Sequence, residues 1–396
     1  ADSSDSSSLG DNDIASIYED RSGLLWVGTR SHGINTWNPR TWYYGFEAAK
    51  ELSADGESQP NVMAFVDDGA GTLWVGTFGE GLNAIDRSSG EIKKYRNDPD
   101  SAYRVADDYV MSLMRDSRGS IWVGTMRRGI TRLDPKTGES TQFQHEPGNP
   151  DSLSANGIMT MFEDRNGFVW VGTFGGGISK FDPKNGQFRR FIPDADDPYA
   201  VSGNRVTSFA EDANGNIWVG TDGGGLNLMH QDTEHFYSFR HDPDNSQTLA
   251  SDTVYSLNID ADHNVWVGTQ GGGLDRVVGS AQDPSTISFE NTSYQDGLAN
   301  DVIYGIQFDD AGWVWMSTNY GISRFNPHTG EIKNMHRKDG LQSEEFNFGA
   351  HYRNESGELF FGGHNGYNAF HPDDIKASTV VPLIALTGFF QGGDST

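Results

Sequence analysis

Val62-Met63-Ala64-Phe65-Val66 leads into Asp68-x-x-Gly71, then Leu73-Trp74-Val75-Gly76-Thr77, a glycine-rich turn, Leu82-Asn83-Ala84-Ile85, a second turn, and Ile92-Lys93-Lys94-Tyr95. Four short apolar runs separated by three tight turns predict four β-strands in one meander. The runs are apolar on alternate and often on consecutive positions. That suits sheets covered on both faces, as when blades stack around an axis.

The unit recurs along the chain. Trp-Val-Gly-Thr, or a close variant, places Trp at 26, 74, 122, 170, 218, 266 and 315, and Phe360-Phe361-Gly362-Gly363 makes an eighth copy. The spacing is 48 five times, then 49 and 45. A register held over almost all of 396 residues marks a repeat architecture, which grows without starting new cores. The expectation is an all-β fold, a β-propeller of eight four-stranded blades, with seven blades plus one extra blade as the alternative. It is read as a single domain over 1–396.

Composition limits the function. Asp and Glu outnumber Lys and Arg by 56 to 29, a formal charge of −27. Such a chain repels phosphate backbones and anionic lipid, so nucleic acid is not an expected partner. The absence of cysteine excludes disulfides, thiolate nucleophiles and Cys-ligated metals, and fits a cytoplasm or a periplasm equally. There is no run of eighteen apolar residues, and the Ser- and Asp-rich start at 1–9 has neither a basic nor an apolar leader region. The chain therefore reads as cytosolic, or as a soluble piece of a processed protein.

Residues repeated in every unit serve the unit. Six positions before each anchor stands Asp20, Asp68, Asp116, Asp164, Asp212, Asp260, Asp309 or Asn354, side chains that accept from backbone N–H groups and hold a turn. Three positions before it stands Gly in seven copies, where a positive φ is expected; His263 breaks the pattern. The tryptophans read as inter-blade anchors rather than sugar platforms. In six of the seven, the Gly two places after leaves room for a neighbour. Asp260-x-Asp262-x-Asn264 lacks the sixth-position Gly and twelfth-position Glu of a calcium loop and is read as a turn. No metal site, catalytic motif or cofactor is assigned. The Gly-rich turns lack the strand-to-helix context of a phosphate loop.

What differs between copies is the turn between the second and third strands. These turns, with the connections into the first strand, open on one face. The candidate ligand-binding residues there are Arg30, His32, Glu80, Arg127, Arg128, Asp222, Gln270, Asn319, Tyr320, His364 and Asn365. They mix donors and acceptors with few long apolar groups. That suits a hydroxyl-rich ligand, with any carboxylate or sulfate met by arginine. Solvated turn tips are the competing reading of the same residues.

The repeated Asp-x-x-Gly-x-x-Trp-Val-Gly-Thr-x-x-x-Gly-Leu resembles the two-component-regulator propeller repeats of periplasmic ligand-binding sensor domains. The ending is similar too: Asp339-Gly-Leu-Gln-Ser-Glu-Glu-Phe-Asn347, Gly357-Glu-Leu-Phe-Phe-Gly-Gly-His-Asn-Gly366, Phe370-His-Pro372 and Pro382-Leu-Ile-Ala-Leu-Thr387. In that family this ending leads into a small Y_Y_Y-type β-domain, so about 379–396 is either the start of that domain or, over Thr379 to Phe390, the outer strand of the eighth blade. Asn12 to Asp20 and Trp37 to Trp42 resemble sensors joined to diguanylate cyclase modules, and related sensors drive histidine kinases. The resemblance implies a periplasmic receptor region of an inner-membrane signalling protein, with relatives sensing oligosaccharides. The implied partners are an oligosaccharide or other polar small molecule and an output domain of the same full-length protein, with a homodimer kept open. Two other functions compete: a polysaccharide lyase using His32, His364 or Tyr320 beside the arginine pair, and a protein-binding scaffold.

Overall fold

The computed structural model describes residues 9–20, 24–37, 45–47, 52–53, 60–98 and 104–375. They divide into two compact units, Ala1–Tyr43 with Asp373–Thr396, and Tyr44–Pro372. The larger unit holds seven four-stranded antiparallel sheets. Numbered by repeat, they are blade 2 (62–95), blade 3 (110–143), blade 4 (158–191), blade 5 (206–239), blade 6 (254–292), blade 7 (303–335) and blade 8 (346–370). Each inner strand packs on the next, and the inner strand of blade 8, Phe346–Arg353, packs back on that of blade 2, Val62–Asp67. The ring is closed. All eight repeats make sheets, and of the two arrangements expected from the count, seven blades plus one extra is the one found.

Closure uses a strand from far away. Blade 8 supplies three of its strands, and the fourth is Phe46–Glu47, with Asn368 opposite Phe46, Tyr367 opposite Glu47 and the Ala369 N–H donating to Gly45 O at 3.0 Å. Residues 46–47 lie 48 before Lys94 and Tyr95, so they are the outer strand of the first repeat, lent to the last. Thr379 to Phe390, expected as a source of that strand, lies outside the described residues.

The remaining strands of the first repeat, Ile14–Glu19, Leu25–Thr29 and Ile34–Trp37, form a three-stranded sheet in the smaller unit. Its Trp26 is 39% exposed, against 3% or less for the six anchor tryptophans of the ring.

Local chemistry explains why the unit repeats. Asp164 Oδ1 accepts from the N–H of Asn166 and Phe168, holding the turn, and Oδ2 accepts from the Trp170 indole at 2.8 Å. Asp20, Asp116, Asp260 and Asp309 hold their tryptophans in the same way. In blade 6 this occupies Asp260, whose oxygens face Asp262 N–H, Asn264 and Trp266. That loop is a turn. His263 keeps the left-handed φ of the glycines it replaces, at 66°.

The Gly after each Trp-Val is where the next blade comes in. A Cβ on Gly76, Gly124, Gly172, Gly220 or Gly268 would sit 2.5–2.8 Å from a side-chain atom of Val110, Ile158, Val206, Val254 or Ile303 on the following inner strand. Gly28, in the smaller unit, meets only Ser16 of its own sheet. Gly172→Ala is therefore expected to lower the stability of the ring by about 1–3 kcal/mol, the usual cost of overpacking. An unchanged urea midpoint would remove the close approach as the reason for glycine.

Candidate functional site

The second-to-third-strand turns are stitched to the connections that feed the next blade. The Gly81 N–H donates to Asp108 O, Gly129 to Asn156 O, Gly177 to Asn204 O, Gly225 to Asp252 O and Gly273 to Asp301 O. The last glycine of these turns is obligatory. At Gly177 φ is 73°, and a Cβ there would lie 2.4 Å from the carbonyl oxygen of Phe191. The frame is constant and the residues it presents change. The first turn residue bridges the residue entering the next inner strand, as Phe78 with Tyr109, Phe174 with Arg205, Asp222 with Thr253 and Gln270 with Val302.

Two of these junctions build the same device. Arg127 donates from Nε (3.1 Å) and Nη2 (2.7 Å) to the buried carboxylate of Asp107, and its guanidinium lies 4.2 Å from the ring centre of Tyr109. Arg205 pairs with Asp222 at 2.7 Å and lies 4.3 Å from the ring centre of Phe174. In each, one guanidinium is shared between a carboxylate and an aromatic ring, by two bonds from Arg127 and through Nη2 of Arg205. Burial raises the Asp107 carboxyl, but the Arg127 hydrogen bond and charge win and hold it below the ordinary value. Both arginine side chains remain accessible, 61% for Arg127 and 43% for Arg205. Phe78 stands edge-on to Tyr109 at 4.8 Å, extending the aromatic line to blade 2.

The other candidates fall around the same face. Asn319 accepts from the Tyr304 hydroxyl at 3.4 Å, and Tyr304 stacks on Tyr255 at 5.6 Å. Burial pushes both hydroxyls up. Tyr320, half exposed, sits 4.9 Å from His336, and the two border an open cavity of about 960 Å³ between blades 6 and 7. Arg127 and Arg128 border a smaller one of about 430 Å³ with Asn97, Gln144 and Asn156. Glu80 opposes the effect of burial on Arg96, whose guanidinium is lowered overall. Asn365 is bonded to Gln342, and His364 is exposed beside it.

Arg30 and His32 belong to the smaller unit, beside Asp13 and Asp11. The arginine pair on blade 3, Tyr320 on blade 7 and His364 on blade 8 come from separate parts of the ring. Sequence reasoning missed Arg205 and Tyr109. The signal was present: Asn61, Tyr109, Gly157, Arg205, Thr253 and Val302 occupy one repeat position and vary as much as the turns do. Among the described residues no group of three or more His, Cys, Asp or Glu side chains could hold a metal ion, and no helix is long and apolar enough to cross a membrane.

A family profile described as two component regulator propeller matches residues 8–31, 105–127, 152–175, 200–223 and 248–271, each spanning an Asp-x-x-Gly turn with its Trp or the connection and turn facing it. The matched segments are similar to two-component regulator propeller repeats. Over 103 residues the chain is 29% identical to histidine kinase P4 of Formosa agariphila, a match covering 26% of this chain and 8% of the kinase. The chain superposes on the extracellular domain of a protein described as a hybrid two component system from B. thetaiotaomicron, with a TM-score of 0.76 and 25% identity. That superposition covers 92% of this chain and 46% of the other, so the chain spans under half the length of either relative. Virginiamycin B lyase from Staphylococcus aureus, catalytically inactive in its structure, matches at a TM-score of 0.57 and 15% identity, over 79% of this chain and 95% of the lyase. That likeness is one of fold.

Proposed function

We propose that this propeller is the non-catalytic, ligand-recognising part of a periplasmic sensor in a transmembrane signalling protein, and that it takes a glycan or another polar small molecule on the face of the variable turns. The observation that carries this reading is the repeated device of a guanidinium laid on an aromatic ring, Arg127 on Tyr109 and Arg205 on Phe174, on the face where the repeats diverge. Flat aromatic faces suit sugar rings, and arginine edges suit hydroxyl and carboxylate oxygens. The likeness to extracellular domains of two component systems supports an output module in the same full-length protein, with a shape change or pairing into a homodimer as the transmitted signal.

A thermal-shift screen with glycans and small polar solutes tests it, followed by a product assay on each hit. A ligand at 100 times its Kd stabilises by about 2.7 kcal/mol. The expected result is a hit without turnover, its affinity reduced at least tenfold in Arg205→Ala and in Arg127→Ala. Product formation would replace the sensor reading with an enzyme. Hits that bind both variants as tightly as the parent would move the site elsewhere.

A further inference from the structure

The face opposite the variable turns carries a second regularity. At three of the seven junctions the residue after the turn Asp meets the last inner-strand residue of the next blade. Ser117 of blade 3 donates its N–H and Oγ to Glu163 of blade 4. Arg165 of blade 4 crosses to blade 5, where Nε meets Glu211 at 2.5 Å, Nη1 meets Ala213 O at 2.9 Å and Nη2 meets Asp212 O. Between blades 7 and 8 the charges are reversed, with Arg353 donating to Asp310.

Between blades 5 and 6, where Ala213 and Ile259 occupy these two positions, and between blades 6 and 7 this tie is missing, and a cavity opens at the second of these junctions. Ala261 occupies the position of Arg165, and Phe308 that of Glu211. Asp309 O and Asp310 O occupy the positions of Asp212 O and Ala213 O, and among the described residues no side chain donates to either. In place of the crossing arginine there is a cavity of about 660 Å³, bordered by Ala261, Asp262, Phe308, Asp310, His328 and Arg353 among others. Its wall carries five carboxylates, Asp260, Asp262, Glu290, Asp309 and Asp310, against the guanidiniums of Arg276 and Arg353. Those two are already paired with Glu290 and Asp310. The phenyl ring of Phe308 supplies a flat face where blade 5 has a carboxylate.

We propose that this cavity is a binding site for a guanidinium group supplied from outside the chain, either a small molecule or an arginine side chain of a polypeptide. The guest does what Arg165 does two junctions away. It donates to two turn carbonyls through one edge and stacks or pairs through its plane, in surroundings of negative charge. The site lies on the other face from the variable turns and is independent of the ligand proposed there.

Three probes test it by NMR titration of the full chain: methylguanidinium, a blocked pentapeptide with a central arginine among glycines, and the all-glycine pentapeptide. The two guanidinium probes are expected to saturate and to compete with each other, and the glycine peptide to have no effect. Tighter binding of the peptide than of methylguanidinium assigns a polypeptide source; equal or weaker binding assigns a small molecule. Ala261→Arg, which places the chain's own guanidinium in the cavity, is expected to weaken both at least tenfold and to raise the melting temperature. Phe308→Leu, nearly neutral in volume, is the second variant and is expected to weaken both at least threefold. Equal response to the arginine and glycine peptides, or undiminished binding in Phe308→Leu and in folded Ala261→Arg, overturns the proposal.

Discussion

A chain beginning at Tyr44 is expected to melt with the stability of the full ring, and a chain beginning at Pro60 about 5–10 °C lower. The difference is the closing segment. Residues 45–47 complete blade 8 through Gly45, Phe46 and Glu47. Leu52 is buried in the core shared by blades 2 and 8 with Val62, Phe65, Phe360 and Tyr367. Lys94 Nζ donates to Ser53 O at 2.7 Å and Arg96 Nη2 to Leu52 O at 3.1 Å, so two cations of blade 2 also depend on the segment. A few backbone hydrogen bonds at about 1 kcal/mol each, with the burial of Leu52 at about 1.5–3 kcal/mol, make a loss of about 4–6 kcal/mol. Calorimetry of the two shortened chains decides the matter. Equal melting temperatures would mean that blade 8 does not need its borrowed strand.

The second large effect is a pair of opposed pH dependences. Asp275 stands at a third-strand position that is buried and polar in every blade: Asn83, Thr131, Ser179, Asn227, Ser323 and Asn368 in the others. At five of those positions and at Asp275 the side chain is placed to accept a backbone N–H from the connection entering its own blade, as Ser202 N–H to Asn227 and Ala250 N–H to Asp275. Asp275 alone can ionise. Burial pushes its carboxyl up to about 6, against the lowering effect of hydrogen bonds from Ala250 and Asn291 and the charge of His241. Its folded pKa exceeds the unfolded value, so the protonated form is the stabilised one. The contribution is present below about pH 4 and is lost as pH rises through 6.

His351 behaves in the reverse sense. Its ring lies against Gly305, where a Cβ would fall 2.4 Å from the imidazole, and Gln307 Nε2 lies 2.9 Å from its Nδ1. Burial pushes the imidazole down to about 4. Its contribution is full above about pH 6.5 and is lost as pH falls through 4. Each displacement corresponds to roughly 3 kcal/mol, with opposite slopes over the same range. The parent protein is expected to be nearly flat in stability from pH 4 to 6.5. Asp275→Asn should be more stable than the parent by about 1–3 kcal/mol at pH 7 and weaken toward pH 4. In His351→Gln, stability should instead fall as pH rises from 4 to 6. Urea unfolding at four pH values reads both slopes, and parallel profiles for the two variants would rule out this pairing.

Much of the fold was legible because its signals are local. The Asp-to-Trp bond spans six residues, the turn glycines answer to their own φ, and Gly172 answers to one neighbour at a fixed offset of the repeat. Each therefore recurs every 48 residues and can be read in a single chain. The face of the candidate site was legible for the same reason, as the place where recurrence stops. Arg205 was not, because its meaning lies in Phe174 beneath it and Asp222 beside it, neither adjacent in sequence. Nor was Asp275 distinguishable from any strand polar residue until its burial was known.

The sequence by itself determined that there are eight repeats, that each makes a meander, and which residues serve the meander. Only the tertiary structure decided that seven of them form the ring, that the outer strand of the first repeat completes the last blade, and that Arg30 and His32 belong to the smaller unit. The physical reason is range. A turn is set by bonds a few residues long, whereas ring closure is set by how many blades fill a circle and by which free edge pairs with blade 8, here Gly45 to Glu47 with Tyr367 to Ala369, more than three hundred residues apart.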